Sequence, residues 1–577
     1  MTGAKGAMQP DSLQARLLAR LHGEPERRAL AFYAPDGGFR WIRFAEFYRR
    51  AERLAAELSE HGLGRSEVAI VVLPSGELSA VTTLAVLLAG AVPLHVAPPV
   101  VAGSLLDLPR ILTRTAREAQ ARLVLCSDTL RKMQDDLTAE APGTKFLFGL
   151  AEPVDGTDLR TTPPVLPARG DVAAMQLTSG TTGFPRICVW TQGPVLAALD
   201  GMASSMRLGR DDVCLNWTPL YHDMGLVNNF LLCLTAGVPL VMLGPEEFVK
   251  RPALWLRGLS DTEATTSWSP NFGFALAARR VKDEELAGVR LDRVRALWNA
   301  AERIHHETLV GFCERFGPCG LRPDAVKTNF GCAENVGGAT FSDPDGSYVT
   351  ERVDGDALFD TWQAEPLAAD ADVARSTVVV GVGRPHAGIG IEILADDGLP
   401  LPDGRVGEIA LRTPSRMAGY LNDEPATSTA IRGDLLCTGD LGYRRGSELF
   451  WVGRAQERIA VRGKKLDPSD FEPVLFAVAG LREGCFVAFG VDDRELGTQR
   501  IVIVCEVREP LARGAQEIVS EIHRQTFVRL GVTLGEVLLV RPGALAKTSS
   551  GKRRHRHFRR LYLEGGLVPF LAGPLDR

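Results

Sequence analysis

The chain has 577 residues, 45% of them apolar and 24% charged, with a formal net charge of −5. That length accommodates about two to four domains, and the mild acidity, with a pI near 6.1, argues against general nucleic-acid binding. The ten cysteines stand singly, without a Cys-x-x-Cys pair or Cys/His ligand spacing, which suits buried thiols in a reducing compartment better than disulfides or zinc.

Met1 to Gln9 lack an apolar signal core. The most apolar window, Ala80 to Pro99, is broken by Gly90, Pro93 and His95, too interrupted for a span that needs about 20 apolar residues. The expectation is a soluble, cytoplasmic protein with no membrane span. A first helix, capped by Asp11, carries Leu13, Leu17 and Leu21 on one face and ends at Gly23. Phe44, Phe47, Ala51, Leu54 and Leu58 form the stripe of a second. Val68 to Leu73 reads as a strand buried on both faces, followed by a helix to Ala89 and a strand at Val92 to Val96. A helix over Leu108 to Ala121 then leads into the strand Leu123 to Cys126. Strands alternating with helices point to βαβ units and a mainly parallel sheet.

Residues 152 to 170 form a Pro- and Asp-rich linker, and the strand Val172 to Met175 follows. A second α/β series runs from Asp212 to Phe330. Residues 342 to 375, acidic and weakly periodic, read as an inserted or flexible segment. Alternation from Val378 to Leu411, with Asp403-Gly404 as hairpin turn, predicts a small antiparallel subdomain. Beyond Arg454 the pattern restarts, with strands at Cys485 to Val491, Arg500 to Val507 and Val537 to Val540 and a helix near Ala515 to Leu530. The predicted fold class is α/β: a large N-terminal domain, 1–454, with mainly parallel sheets plus a small antiparallel β subdomain, and a smaller mobile α+β domain, 455–577.

The densest chemical signal is Thr178-Ser179-Gly180-Thr181-Thr182-Gly183, followed by Phe184-Pro185-Arg186. Glycines let the backbone approach a ligand closely, and hydroxyls and free N–H groups converge on phosphate oxygens. Read alone, such a cluster is also ordinary turn chemistry. The Walker spacing is absent here and around Ser550-Gly551-Lys552.

The pattern Thr-Ser-Gly-Thr-Thr-Gly-x-Pro-basic resembles the phosphate loop of the acyl-adenylate-forming superfamily. Five further stretches fall in that superfamily's order. Tyr221-His222-Asp223-Met224-Gly225 looks like the acyl-pocket segment. Asn329-Phe330-Gly331-Cys332-Ala333-Glu334 resembles the adenine and magnesium segment, and Cys437-Thr438-Gly439-Asp440 the ribose turn. Gly453-Arg454-Ala455-Gln456-Glu457-Arg458 followed by Arg462-Gly463 resembles the hinge. Lys547-Thr548-Ser549-Ser550-Gly551-Lys552 resembles the C-terminal catalytic loop. Within the superfamily the nearest likeness is to fatty acyl-AMP ligases, through Pro219-Leu220-Tyr221-His222-Asp223-Met224-Gly225-Leu226, Pro270-Asn271-Phe272, Gly383-Arg384-Pro385 and the extra residues between Glu334 and Gly383.

What the resemblance implies is an enzyme that joins a carboxylic acid to ATP, forming acyl-AMP and pyrophosphate, then passes the acyl group to a thiol of CoA or of phosphopantetheine on a carrier protein. Lys552 would bridge the carboxylate and the α-phosphate. Glu334 would hold Mg²⁺, Asp440 the ribose hydroxyls and Arg454 ribose or phosphate. Phe330, beside Gly331, would stack on adenine. Gln456 would be the pivot, and His222 either shapes the channel between acyl and thiol sites or is a buried structural histidine. Trp217, Tyr221, His222, Trp268, Phe272 and Trp298 are the candidate walls of the acyl pocket, or simply core. The basic run Arg553 to Arg560 offers a surface to an acidic acyl carrier protein, although CoA's phosphates would also accept arginines.

Departures from the family pattern point to an unusual acid. Arg186 and Ile187 replace Lys and Gly, and Arg is not a neutral substitute for a point-charge Lys. Ala300 stands where Gly is commoner, Ala333 replaces a Thr, and Ala546 stands where Pro precedes the lysine. Two rivals are an amino-acid-activating domain, disfavoured because Tyr221-His222-Asp223-Met224 lacks the Phe-Asp pair that holds an ammonium, and a non-catalytic adenylate-binding homologue.

Overall fold

The computed structural model describes residues 11–567 except 35–36, 100–107, 152–165, 179–184, 369, 372–375, 462–463, 494–497, 512 and 549–550. Most of the expected linker, Ser179 to Gly183 of the phosphate loop, Arg462-Gly463 and Ser549-Ser550 therefore lie outside the described residues.

Two large sheets carry the N-terminal portion. One has seven strands in the order Gly419–Tyr420, Ile187–Thr191, Val172–Leu177, Val92–His95, Val68–Val72, Leu123–Cys126, Lys145–Phe148. The last five run parallel, and the first two are antiparallel. Val68–Val72 is buried along its whole length, as an unbroken apolar run in a parallel sheet requires. The other has nine strands, with six parallel ones at its centre. Of these, Cys214–Asn216, Thr266–Ser269, Ala296–Asn299 and Val326–Cys332 position the residues of interest. One continuous core joins the two sheets through the helices Glu77–Leu88 and Gln192–Ser205 and the segment Leu226–Ala236. Phe47, Ala51, Leu54 and Leu58 of the helix Phe44–Glu60 are fully buried in it, the expected amphipathic stripe.

Three expectations need correction. The first helix, Leu13–Gly23, is capped by Ser12 rather than Asp11. Ser12 is extended (φ −144°), and its hydroxyl accepts the Ala15 N–H at 3.2 Å. Asp403-Gly404 is a turn but not the hairpin turn. Strands Gly390–Leu394 and Gly407–Arg412 pair antiparallel, and all of 395–406 loops out between them through turns closed at Ala395 and at Pro402. Of the two readings of 342–375, inserted or flexible, the flexible one fails for the described residues, which are ordered. Thr350–Asp354 pairs antiparallel with Ser376–Val380, a π-helical turn spans Ala357–Thr361, and Arg352 donates to the carbonyls of Ala368 and Ala371. Its acidic composition hid this because few side chains, rather than a periodic face, hold it.

After Arg454 come the strands Leu481–Asp493, Thr498–Val507 and Glu536–Val540 in one sheet, the first pair antiparallel and the second parallel. Alternation sorts the central strand. Ile501, Ile503 and Cys505 face the helix Ala515–Leu530, whereas Val502 and Val504 face the helix His555–Leu563 through Phe558. The first of these cores also takes in Val353, Leu358 and Ala364 of the inserted segment.

His555 lies in that second interface, its Nδ1 within 3.1 Å of the Ala488 N and 3.0 Å of the Ala488 O. Burial above all, then Arg553, brings its pKa down to about 3, and burial alone brings His95 to about 4. Folded chains therefore bind fewer protons than unfolded ones between these values and the ordinary histidine pKa. Stability rises with pH in that window and is lost as pH falls through it. The urea midpoint should drop between about pH 6.5 and pH 4, and His555→Gln should flatten part of that slope; an unchanged slope would remove His555 as its source.

Candidate active site

Four stretches meet at the carboxyl ends of the parallel strands, the usual ligand side of such sheets. Thr178 and Arg186 tie the base of the phosphate loop: the Thr178 N–H donates to the Arg186 carbonyl at 2.8 Å, and the Arg186 N–H to Thr178 Oγ1 at 3.0 Å. The Arg186 guanidinium reaches Asp423 at 3.1 Å and lies 5.3 Å from the centre of the Tyr420 ring. Tyr420 in turn donates its hydroxyl to Glu334 Oε1 at 2.6 Å. Burial first, then the Glu334 charge, pushes the Tyr420 pKa far up, so the phenol stays protonated and can donate.

Glu334 sits in a short turn, Ala333–Asn335, at the end of Val326–Cys332. The turn is held from several sides. Trp190 Nε1 donates to the Ala333 carbonyl at 2.7 Å, the Met417 N–H to the Glu334 carbonyl at 2.8 Å, and Thr413 Oγ1 to Asn335 Oδ1 at 2.7 Å. Val336 follows at φ +53°, an unusual conformation for a β-branched residue that such surroundings can impose at a cost of about 1–3 kcal/mol. Gly331 lies where a Cβ would strike the Gly337 backbone. Phe330 is 7% exposed and belongs to the core under the nine-stranded sheet.

Asp440 and Arg454 face one another across the antiparallel strands Leu435–Arg445 and Glu448–Arg454. Arg454 Nε lies 3.1 Å from Asp440 Oδ1, and the Arg454 N–H donates to Asp467 Oδ2 at 3.1 Å. Asp440 is the largest influence holding the Arg454 pKa above its ordinary value.

Lys552 arrives from the C-terminal portion. Its N–H donates to Thr548 Oγ1 at 3.0 Å and its carbonyl accepts the Thr548 N–H at 2.8 Å, closing a tight loop through Gly551 at φ +82°. A Cβ on Gly551 would lie 3.7 Å from the Phe272 ring, so the loop rests directly on the N-terminal portion. Burial, then Arg454, pulls the Lys552 pKa down, while Asp223, Glu302 and Asp440 pull it back up. Lys552 thus stands among the charged groups of four separate stretches. Burial would raise the Asp223 pKa, but His222 and then Lys552 hold it below the usual carboxylate value. His222 Nδ1 is 2.6 Å from Asp223 Oδ1, so the carboxylate fixes the ring.

Reading the sequence missed the clamp that holds this loop in place. Glu472 lies 2.9 Å from His305 Nε2 and also pairs with Arg553, the residue after Lys552. Beside it Arg303 pairs with Asp470 and donates to Ser469 Oγ at 3.2 Å. Burial is the main reason the His305 pKa falls to about 4, so the ring is neutral near pH 7. Glu302 accepts the Phe272 N–H at 2.6 Å from a turn in which Ala301 has φ +74°. The residue under backbone strain is therefore Ala301, one position beyond the Ala300 that the family pattern drew attention to.

The six expected acyl-pocket residues do not form one wall. Trp217 and Phe272 pack on one face of the nine-stranded sheet, 5.8 Å apart edge-on, with Trp217 stacked 3.8 Å from Phe248. Trp268 and Trp298 stack on the other face. Tyr221 and His222 lie between the strand Cys214–Asn216 and the helical turn Asp223–Gly225, where the Tyr221 carbonyl accepts Gln176 Nε2 at 2.9 Å. Gln456 accepts a hydrogen bond of 2.6 Å from Arg556. The basic run is not a free cationic face: Arg553 pairs with Glu472, Arg559 donates to the Gly490 carbonyl at 2.7 Å, and His555 and Phe558 are buried. Among the arginines of the run only Arg560 is exposed.

Residues 17–421 match the model of a family described as "AMP-binding enzyme". The chain belongs to that AMP-binding enzyme family. Among relatives, the 4-hydroxyphenylalkanoate adenylyltransferase of Mycobacterium marinum is 30% identical over 97% of this chain and 93% of its own. The medium-chain-fatty-acid–[acyl-carrier-protein] ligase JamA of Moorena producens is 28% identical over 95% and 94%. A structure solved in work on fatty acyl-adenylate ligases from E. coli and L. pneumophila superimposes with a TM-score of 0.87 at 26% identity, covering 96% of this chain and 98% of that one. This AMP-binding enzyme is an adenylate-forming acid ligase that activates a carboxylic acid with ATP, on the α/β architecture with a C-terminal α+β part that the sequence implied. No helix among the described residues is long and apolar enough to cross a membrane.

Two substitutions test the geometry by acid-dependent ATP–pyrophosphate exchange. Lys552→Ala should lower exchange by roughly two to three orders of magnitude, the scale of a lost transition-state donor, with far less effect on acyl transfer from preformed acyl-AMP. Glu472→Ala strands two buried partners, a loss of about 3–5 kcal/mol for a buried pair. It should lower exchange at least tenfold while ATP still raises the melting temperature.

Proposed function

We propose that this adenylate-forming ligase uses Lys552 as its catalytic cation and hands the acyl group to a phosphopantetheine thiol on a carrier protein. The reading of Lys552 is supported above all by its placement amid Asp223, Glu302, Asp440 and Arg454. In the first step a carboxylate oxygen of the acid attacks the α-phosphorus of ATP. The new P–O bond forms as the bond to the β-phosphate breaks, and pyrophosphate leaves. Both reactants are anions, so a cation between them lowers the barrier as charge shifts in line. Lys552 and Arg454 supply that charge, and Asp440, midway along its strand just after Gly439 at φ +71°, offers acceptors to the ribose hydroxyls.

The donor set suits magnesium arriving with the nucleotide. Among the described residues no cluster of three His, Cys, Asp or Glu side chains could hold a metal, whereas Glu334 presents a single oriented carboxylate. Mg²⁺ is commonly held by one or two carboxylates together with phosphate and water, and when bound it would neutralise charge on the phosphates. Tyr420 fixes Glu334 for that contact and leaves its second oxygen available. Residues 1–454 would form the body that binds acid and nucleotide, and 455–577 the unit that brings Lys552, pivoting at Gln456.

In the second step a thiol sulfur attacks the acyl carbon, its C–O bond to phosphate breaks, AMP leaves, and the thiol proton passes to solvent. Choice of acceptor rests on the inserted segment. Trp362 lies under both Arg458 and Lys465, 4.9 and 4.7 Å from the ring centre, and Lys464 pairs with Asp356 and Asp360 at 3.0 and 3.2 Å. Leu358 joins the core that holds Ile459, Val461 and Phe471. These contacts restrain the C-terminal portion, which favours a tethered thiol over free CoA, and the likeness to JamA points the same way. The bound-up arginines of the basic run make a lesser contribution than their number implied.

The deciding assay supplies enzyme, acid, ATP and either CoA or an acidic carrier protein, and follows thioester by mass. Carrier acylation well above CoA acylation is expected, and Trp362→Ala should raise CoA acylation severalfold by removing the cation–π contacts, each worth about 0.5–2 kcal/mol. Rapid CoA turnover with no carrier acylation at any salt would make this an acyl-CoA synthetase.

A further inference from the structure

Lys552 is carried on a loop that leaves the strand Glu536–Val540 and enters the helix His555–Leu563. Beyond the lysine, Arg553 ties that loop to Glu472, and just before it Gly551 rests on Phe272. The entry to the loop is held differently. Arg541 to Ala544, Ala546 and Lys547 are exposed, and Leu545 alone among 541–547 is buried. Its side chain enters the core with Val502, Val504 and Phe558, and its N–H donates to Glu506 Oε1 at 2.7 Å.

Glu506 is an uncommon residue for its place. It follows Val502 and Val504 on one face of the strand Thr498–Val507, and Ile501 to Val507 is otherwise apolar and buried throughout. Its register partner is Val540, where the chain leaves the sheet for the lysine loop. Glu506 itself is 1% exposed. A carboxylate taken out of water is costly unless its oxygens are satisfied, and here each has a partner. Oε1 takes the Leu545 N–H, and Oε2 takes Arg482 Nη1 at 2.5 Å. The charge faces the base of the lysine loop, and neither the adenylation nor the transfer step uses it.

The consequence follows from the length of chain between this anchor and the lysine. Leu545 and Lys552 are seven residues apart, a tether that could span more than about 20 Å if it were free. It is not free. The Thr548 N–H donates to the Lys552 carbonyl at 2.8 Å, the Lys552 N–H to Thr548 Oγ1 at 3.0 Å, and the Gly551 N–H to the Thr548 carbonyl at 2.9 Å. Thr548 and Lys552 are thus fixed to one another, and only Ala546 and Lys547 separate Thr548 from the anchored residue. Releasing Leu545 would let the lysine shift while the groups on the N-terminal portion stay where they are. A displacement of about 1 Å at a reacting group can cost about 100-fold in rate.

We propose that Glu506 is a positioning residue for Lys552, holding the entry to the lysine loop through the Leu545 N–H and so setting where the lysine stands during adenylation. The inference rests on the reading of Lys552 as the catalytic cation. The test is ATP–pyrophosphate exchange by the full chain with the best acid of a panel of fatty, aryl and amino acids. Glu506→Met and Glu506→Gln are each measured in the parent and in the Lys552→Ala background. Glu506→Met should lower kcat roughly tenfold or more in the parent, with KM for ATP within about threefold. Where Lys552 is already Ala the same change should cost less than about twofold, because a residue that acts only through the lysine then has nothing to position. Glu506→Gln keeps an acceptor for the Leu545 N–H and should recover most of the loss. Acyl transfer from preformed acyl-AMP should stay within about twofold of the parent in both. Circular dichroism and stabilisation by ATP report whether each variant folds. If Glu506→Met does not, two glycines inserted between the exposed Ala546 and Lys547 take its place, lengthening the tether without touching the buried carboxylate, and the same pattern is expected. A folded variant that keeps the parent kcat, or that loses equally in both backgrounds, overturns the proposal while leaving adenylation and Lys552 intact. Parent-level exchange by Lys552→Ala would overturn the reading of Lys552, and exchange by the parent with no acid of the panel would overturn the adenylation reading, each taking the proposal with it.

Discussion

A single buried carboxylate, Glu472, binds two distant parts of the chain to one another. It meets His305, which follows the Ala296–Asn299 strand, and Arg553, which follows Lys552. A charge taken out of water is costly unless its partners are well placed, so the arrangement is stable only when the C-terminal loop sits where it does. Arg303 and Asp470 repeat the device two residues away on each side, the carboxylate again coming from beyond residue 454. Everything attributed to Lys552 depends on these contacts, because a flexible side chain on a mobile loop would otherwise spend little time at the reacting atoms.

The surroundings of Lys552 are tuned by opposing effects. Burial and Arg454 favour its neutral form, and three carboxylates favour the charged one. Glu334 is fixed by a different means, through a protonated phenol and a backbone held in a rare conformation at Val336. Strain at Val336 and Ala301 lies on either side of the charged cluster, in the turns that carry Glu334 and Glu302. Both turns follow parallel strands of the same sheet, so the sheet supplies the rigidity against which the strain is held.

Much of this was legible from residues alone. Val68–Val72 and the Phe44 helix were, because an unbroken apolar run and a three- and four-residue stripe each have one structural reading. The proximity of Lys552, Asp440 and Arg454 was expected from motifs that come in a fixed order, and their charges do act on one another. Glu472, His305 and Tyr420 were not expected: their partners lie far along the chain, 86 residues away in the Tyr420–Glu334 bond and 167 in the His305–Glu472 one, and no local spacing encodes such a contact. The inserted segment escaped for the opposite reason. Its order comes from Trp362, Leu358 and Lys464 meeting partners beyond residue 454, while its own composition favours solvent. The aromatic residues were visible as a set, but only the alternation of strand faces separates Trp268 and Trp298 from Trp217 and Phe272.

The hydrogen bond from Arg556 to Gln456 has a mechanical meaning. Arg556 lies in the helix that starts three residues after Lys552, so the portion that carries the lysine also grips the proposed pivot. A rotation there would have to release the lysine loop, the Glu472 clamp and this grip together. Small excursions are opposed by all three, and none is half-relieved by a partial turn. On the rotation proposed above, such a joint would behave as a detent rather than a free bearing, with two definite settings and little dwell between them.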